Sequence, residues 1–141
     1  MRRIPAIKSV MTAFPYSVDV ESTLDYALDF LQQHDVGHLP LKQDGELVGV
    51  VSLNVLRHHL SLQGQDKQML LKDLPLGNTY IVDLNERLDR VLETMANKHL
   101  DAALVTRQER LAGIFTSTDV CRSYAEHLRE EFQPPSGDEV A

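Results

Sequence analysis

The chain has 141 residues, 43% of them hydrophobic and 25% charged, and a formal net charge of −7 at pH 7. These values are typical of an ordinary globular protein with one domain or two tightly packed half-domains. The negative charge argues against nucleic-acid binding. No apolar run reaches the length of a membrane span, which argues against a transmembrane protein.

The single cysteine, Cys121, excludes an intramolecular disulfide and a cysteine-based zinc site. Because free cysteines are among the most buried residues, we expect Cys121 to lie in the core. The first 18 residues contain no continuous apolar stretch, so we expect no signal peptide. A lone cysteine fits a reducing compartment, and we therefore expect a cytoplasmic protein.

The first half of the chain predicts a strand, a helix, a hairpin of two strands and a second helix. Residues 17–20 alternate as a strand, and Ser22, with an acidic residue three positions on, predicts a helix N-cap. Residues 38–41 and 47–51 predict two further strands. The Asp-Gly pair at residues 44–45 predicts the tight turn that joins them.

The second half of the chain repeats the first at an offset of 64 residues. Residues 18–56 and 82–120 align without a gap, with apolar positions matched to apolar positions. A repeat of this length is a supersecondary unit whose apolar face is buried against its copy. We therefore predict an α+β fold in which two β-α-β-β-α repeats pack with pseudo-twofold symmetry around a shared core.

The composition also predicts where the repeats begin and end. Residues 8–62 are assigned to repeat 1 and residues 72–128 to repeat 2. The polar residues 63–71 are predicted to form the linker between them. Residues 129–141 are acidic and contain prolines, so they predict a disordered tail.

The segment GIFTSTD at residues 113–119 predicts a strand that ends where a helix begins. The first-turn amides of such a helix form an anion site, to which the Thr116 and Thr118 hydroxyls add donors. The Asp119 carboxylate accepts from paired hydroxyls, which is how a carboxylate holds a ribose. The same Thr-x-x-Asp pattern is also a capping box that needs no ligand, and both interpretations stand at this point.

Residues 37–41 and 44–52 in the first copy and residues 113–119 in the second form an ordered set at constant spacing. With this set the chain resembles a pair of cystathionine-β-synthase-type (CBS) domains, or Bateman module, over nearly all its length. The resemblance implies a non-catalytic regulatory fold that binds an adenine nucleotide or adenosyl compound in the cleft between the repeats. It also implies a homodimer formed through exposed helix faces. The apolar residues expected on those faces are Leu56, Leu60, Val120 and Tyr124.

The resemblance also implies a role for each site residue. Asp119 would hold the ribose, while the Thr116 and Thr118 hydroxyls and the backbone at Ser117 would hold a phosphate. The base would rest against the opposite repeat, on the chain at residues 11–16 and on the residues just before the third strand. The positions proposed for these base contacts are Ala13, Tyr16, Gly37 and His38.

The two copies differ at the position of the aspartate, because Val55 stands in the first copy where Asp119 stands in the second. Valine accepts no hydrogen bond, so the site built on Ser52 is predicted to be weak or empty. Asp101 adds negative potential near the expected phosphate, and no lysine or arginine lies inside the motif. We therefore expect AMP or an adenosyl compound with an uncharged tail to bind better than ATP, with ADP, ATP and S-adenosyl compounds left open.

The sequence offers no catalytic constellation, so we expect no enzyme activity, no obligatory cofactor and no metal site. His58 and His59 are neighbours on a helix and point to different faces, which argues against joint metal ligation. Two alternatives stay open: a structural or protein-interaction module that has lost ligand binding, and a small enzyme. The sequence names neither the ligand nor the regulated protein partner.

Overall fold

The structure is a computed structural model that describes residues 2–62, 68–76, 79–133 and 135. It contains two β-sheets and four α-helices, as predicted for the α+β class. The strands are β1 Thr12–Ala13, β2 Val18–Asp19, β3 His38–Gln43, β4 Glu46–Ser52, β5 Ile81–Asp83, β6 Ala102–Arg107 and β7 Arg110–Thr116. The helices are α1 Leu24–His34, α2 Leu53–Ser61, α3 Leu88–Lys98 and α4 Ser117–Glu131.

Each repeat contributes one sheet with the same core topology. In the first sheet, β2 runs parallel to β3, and β3 runs antiparallel to β4. In the second sheet, β5 runs parallel to β6, and β6 runs antiparallel to β7. The second sheet gains a fourth strand, because β1 from the start of the chain pairs antiparallel with β7. This pairing brings the N-terminal segment to the edge of the opposite repeat.

The two hairpins turn through residues with positive φ. Asp44 and Gly45 have φ values of 52° and 82°, and Gln108 and Glu109 at the equivalent positions have values of 50° and 66°. A type I′ turn requires a positive φ at both central residues, which explains the Asp-Gly pair and confirms the predicted turn. The Gln-Glu pair adopts the same geometry without that favourable composition.

The structure corrects the predicted N-cap of α1 and explains why α2 begins directly after Ser52. Thr23, not Ser22, is the N-cap of α1, and its hydroxyl accepts from the Tyr26 amide at 3.1 Å. Ser22 is occupied elsewhere, since its amide donates to Asp19 O at 2.9 Å and its carbonyl accepts from the Leu71 amide at 2.9 Å. Ser52 caps α2, where its hydroxyl accepts from the Val55 amide at 3.1 Å.

The repeats exchange their leading segments. Each repeat is preceded by a short 3-10 turn, Ile7–Ser9 or Leu71–Asp73, that packs on the other repeat. The Ile7 amide donates to Glu86 O at 2.9 Å, and its side chain is buried in a cluster with Val91 and Phe115. Leu71 is buried in turn among residues of the first repeat. The core of each repeat is therefore completed by a side chain from the leading segment of the other repeat.

The predicted linker and tail need correction at their edges. Residues 63–67 of the linker lie outside the described residues, but Met69 O accepts from the Leu24 amide at 2.9 Å, so the end of the linker is part of the first repeat's packing. Helix α4 continues to Glu131, so the tail predicted from residue 129 begins inside a helix. Residues 134 and 136–141 also lie outside the described part. The repeat boundaries at 8–62 and 72–128 stay a proposal.

Two expectations about burial were wrong. Cys121 is exposed, because it lies on the solvent side of α4 while its neighbour Val120 packs inward. Leu56 is fully buried, so it does not contribute to an exposed helix face. Within the described residues, no helix is both long and apolar enough to cross a membrane.

Candidate functional site

A cleft of about 420 Å³ lies between the two repeats at the start of α4. The first repeat contributes Thr12 of β1, the chain between α1 and β3, and residues 52–54 at the start of α2. The second repeat contributes the end of β7 and the first turns of α4. Five of the predicted site residues line this cleft: Gly37, His38, Thr116, Thr118 and Asp119.

A larger groove of about 730 Å³ lies between the two hairpin turns, but it is a weaker candidate for a binding site. Its charged residues, Lys42, Glu46, Glu109 and Arg110, have both signs and none of them is buried. Among the described residues, the buried polar side chains are Thr116 and Asp119, and both line the cleft at α4. Because a buried carboxylate needs partners, its position marks where polar chemistry is concentrated.

Three predicted site residues lie outside the lining of this cleft. Ala13 is exposed and pairs with Gly113 in the β1–β7 ladder. Tyr16 packs against other aromatic rings, with its ring centroid 4.8 Å from that of His34. The Ser117 amide donates to Asp101 O at 3.2 Å, so the backbone group proposed for a phosphate already has a partner.

The Asp119 carboxylate accepts from four donors. Its Oδ2 atom accepts from the Thr116 amide at 2.9 Å and lies 3.5 Å from the Thr116 hydroxyl. Its Oδ1 atom accepts from the Thr12 hydroxyl at 2.8 Å and from the Arg122 guanidinium at 3.3 Å. The capping box of α4 is therefore present, as the alternative interpretation predicted. Thr12 and Arg122 go beyond that box, because a helix cap requires neither.

The sequence analysis predicted neither Arg122 as a site residue nor the contact of Thr12 with Asp119, and the reasons differ. Arg122 lies one helical turn after Asp119, so i,i+3 spacing on α4 was a usable signal. Thr12 lies in the segment expected to contact a base, but it instead holds Asp119. It reaches that carboxylate because Thr12 stands opposite Ile114 in the antiparallel β1–β7 pair. No local pattern reveals this long-range pairing.

Gly113 fixes the distance between β1 and β7. A Cβ atom at Gly113 would lie 2.6 Å from Thr12 O, which no side chain permits. The equivalent Gly49 in the first repeat is under no such constraint, since its nearest contact would be the Leu76 side chain at 3.6 Å. Glycine at residue 113 thus allows the close approach that brings the Thr12 hydroxyl to Asp119.

The cleft carries more negative than positive groups. Asp35, Asp101 and Asp119 face the Arg122 guanidinium and the His38 imidazole. His38 Nε2 lies 3.4 Å from Asp101 Oδ2, which joins the two repeats across the cleft. Among the described residues there is no group of three or more His, Cys, Asp or Glu side chains placed to hold a metal ion.

A second, smaller cleft of about 240 Å³ is built on Ser52 and Val55. At the offset of 64 residues, Val55 replaces Asp119, Leu76 replaces Thr12 and His58 replaces Arg122. Val55 and Leu76 both line the second cleft and pack against the core of the first repeat. The polar groups around Asp119 thus have no counterpart at two of these positions, and the second cleft is apolar there.

Comparison with known proteins places the chain in a family. Residues 7–61 and 71–126 each match the model of the CBS domain, and the chain belongs to the CBS domain family. Hypoxic response protein 1 of Mycobacterium tuberculosis is 26% identical over 127 residues, which span 89% of each chain. Its crystal structure, described with two coordinated zinc ions, has a TM-score of 0.66 and 25% identity and covers 83% of this chain and 97% of that one.

Two further similar proteins were found. The CBS domain pair of MJ0100, solved in complex with 5′-methylthioadenosine and S-adenosyl-L-methionine, has a TM-score of 0.76. It is 22% identical and covers 89% of this chain and 99% of that one, so the likeness shows the fold. The zinc metalloprotease MJ0392 of Methanocaldococcus jannaschii is 25% identical over 127 residues. These residues are 89% of this chain but only 34% of the metalloprotease.

Proposed function

We propose that this CBS domain pair is a non-catalytic regulatory module that binds one adenosine-containing ligand in the cleft at α4. The observation that carries the proposal is the buried Asp119 carboxylate, 3% exposed, which joins the two repeats at the edge of that cleft. The adenosyl ligands of the MJ0100 pair support the ligand class. A ligand at this position would contact both repeats and so favour one arrangement of them.

Each part of the ligand has a proposed partner. The ribose diol donates to Asp119, and the anionic group lies at the start of α4 near the Thr116 and Thr118 hydroxyls. The base rests on the first repeat near Gly37 and His38. Ser117, Ala13 and Tyr16 are not needed in this arrangement.

The charges of the cleft favour a ligand with few negative groups. Three carboxylates line it, and they oppose the approach of a triphosphate more than that of a monophosphate. Arg122 supplies one compensating positive charge that the motif itself lacks. We therefore propose AMP or an S-adenosyl compound as the preferred ligand, with ATP binding that depends on magnesium.

Isothermal titration calorimetry with AMP, adenosine, ATP and S-adenosylmethionine tests this function. We expect one site per chain, and we expect Asp119→Ala to weaken AMP binding by about 1.5–3 kcal/mol, the range for hydrogen bonds to charged groups. Thr23→Ala is the matched control, because it removes the helix cap of α1 and Thr23 lines neither cleft. It should lower stability and leave AMP affinity unchanged.

The alternative function is a structural or interaction module. It gains if the wild-type protein gives no binding heat with any of the four compounds, or if Asp119→Ala destabilises the protein without changing affinity. In the second case Asp119 serves only the capping box of α4. Turnover of a bound nucleotide would instead favour the enzyme alternative.

We further propose that the module is a homodimer. Tyr124 and Leu128 are exposed at i and i+4 on α4, and with Val120 they form one apolar stripe, which the exposed Phe132 extends at the C-cap of the helix. The stripe borders an apolar groove of about 310 Å³ between α3 and α4. A twofold pair presents the same patch to itself, so one stripe is sufficient for a symmetric interface.

A further inference from the structure

Arg122 has a position that the proposed function alone does not explain. Among residues 2–62, 68–76, 79–133 and 135, it is the one lysine or arginine that lines the cleft at α4. Its guanidinium reaches Asp119 Oδ1 at 3.3 Å, yet its side chain is 62% exposed. Because the guanidinium is open to solvent and the contact is long, this ion pair contributes little to stability. The contact therefore holds Arg122 beside the cleft at a low cost of release.

The four donors on Asp119 differ in how easily they are displaced. The Thr116 amide cannot leave without uncapping α4, and the Thr12 hydroxyl is held by the β1–β7 pairing. These two contacts are also the short ones, at 2.9 and 2.8 Å. The two long contacts come from the Thr116 hydroxyl at 3.5 Å and from Arg122 at 3.3 Å. Each carboxylate oxygen thus has one fixed donor and one replaceable donor.

A ribose diol fits this division. Its two hydroxyls can donate one hydrogen bond to each oxygen of Asp119, in place of the Thr116 hydroxyl and Arg122. The displaced guanidinium then needs an acceptor, and it lies on the same face of α4 as the cleft. An anionic group on the bound ligand supplies that acceptor through charge-assisted hydrogen bonds, which a guanidinium forms in pairs.

From this geometry we infer that Arg122 selects adenosine compounds that carry one anionic group, by exchanging Asp119 for that group when the ligand binds. The inference rests on the proposed function and adds a specificity-determining residue to it. The anionic group is a phosphate, as in AMP, or a carboxylate, as in S-adenosylmethionine. The second cleft supports the inference, because there the carboxylate and the arginine are absent together, replaced by Val55 and His58.

The test compares ligands that share adenosine and differ in the group attached at its 5′ position. Adenosine, AMP and S-adenosylmethionine are titrated into wild type, Arg122→Gln and Arg122→Lys by calorimetry, with thermal unfolding to confirm that each variant is folded. Arg129→Gln is the matched control, because Arg129 lies about two turns further along α4 and lines a different groove.

We expect Arg122→Gln to weaken AMP binding by about ten- to a hundredfold and adenosine binding by less than about twofold. The AMP affinity of Arg122→Lys should lie between those of wild type and Arg122→Gln, since lysine keeps the charge but not the paired donors. A loss restricted to AMP identifies the phosphate as the partner, and an equal loss for S-adenosylmethionine extends the role to a carboxylate. Arg129→Gln should leave all three affinities unchanged.

Four outcomes overturn the inference. If Arg122→Gln weakens adenosine and AMP equally, Arg122 only positions Asp119. If AMP affinity does not change in Arg122→Gln, or if wild type binds adenosine as tightly as AMP, the arginine does not recognise an anion. If wild type binds none of the compounds, the proposed function fails as well, which separates that failure from the first three.

Discussion

The exchange of leading segments predicts that Ile7→Ala damages the second repeat rather than the first. Ile7 is 0% exposed and lies in a cluster with Val91 and Phe115 of the second repeat. The substitution removes three carbon atoms, which at about 0.8 kcal/mol per buried CH₂ amounts to roughly 2.4 kcal/mol. The cavity left behind adds to this, so the free energy of unfolding should fall by about 3–4 kcal/mol.

Urea unfolding measures this loss, and hydrogen exchange locates it. We expect faster exchange at amides of α3 and β6 than at the equivalent amides of α1 and β3. Ile4→Ala is the matched control, because Ile4 lies in the same segment but is 48% exposed and should cost less than about 0.5 kcal/mol. A loss below about 1 kcal/mol for Ile7→Ala, or equal exchange in both repeats, would refute the idea that this side chain completes the second core.

Three other predictions concern the cleft and the helix stripe. Gly113→Ala should lower stability and ligand affinity, since its Cβ meets Thr12 O, whereas Gly49→Ala should leave both nearly unchanged; thermal unfolding and calorimetry compare the pair. The double variant Val55→Asp with Leu76→Thr gives the second cleft the two polar groups that Asp119 and Thr12 supply at α4, and calorimetry should show the number of ligands bound per chain rising from one to two. Tyr124→Glu places a charge on the α4 stripe, and sedimentation at tens of micromolar should shift from dimer to monomer if that stripe is the interface.

The periodicity of the chain was enough to predict the fold class, because the same hydrophobic pattern occurs twice at constant spacing. Strand and helix order followed from local signals, such as the Asp-Gly turn and the apolar stripe of α1. The exchange of Ile7 and Leu71 could not be predicted in this way. It depends on hydrogen bonds between residues far apart in sequence, such as Ile7 to Glu86, and a local pattern carries no information about such pairs.

The residues of the candidate site likewise divide into those that a local motif reveals and those that depend on long-range pairing. Thr116, Thr118 and Asp119 belong to one short segment, so a motif revealed them together. Arg122 was one helical turn away and could have been found by extending the same face of α4. Thr12 required knowledge that β1 leaves its own repeat and pairs with β7, which only the three-dimensional structure gives.

The two clefts differ in the polar groups that our proposed ligand would contact. Around Asp119, the repeats meet through the hydrogen bond from Thr12, and in our proposal a bound ligand replaces the longer contacts from the Thr116 hydroxyl and Arg122. In the second cleft, Val55 and Leu76 stand at the positions of Asp119 and Thr12, and neither side chain makes a polar contact that a ligand could replace. Because β1 follows directly on the segment that buries Ile7 in the second repeat, a change at Thr12 is coupled to the core that joins the repeats. We therefore expect that occupancy of the cleft at α4, and not of the second cleft, would alter how the two repeats pack.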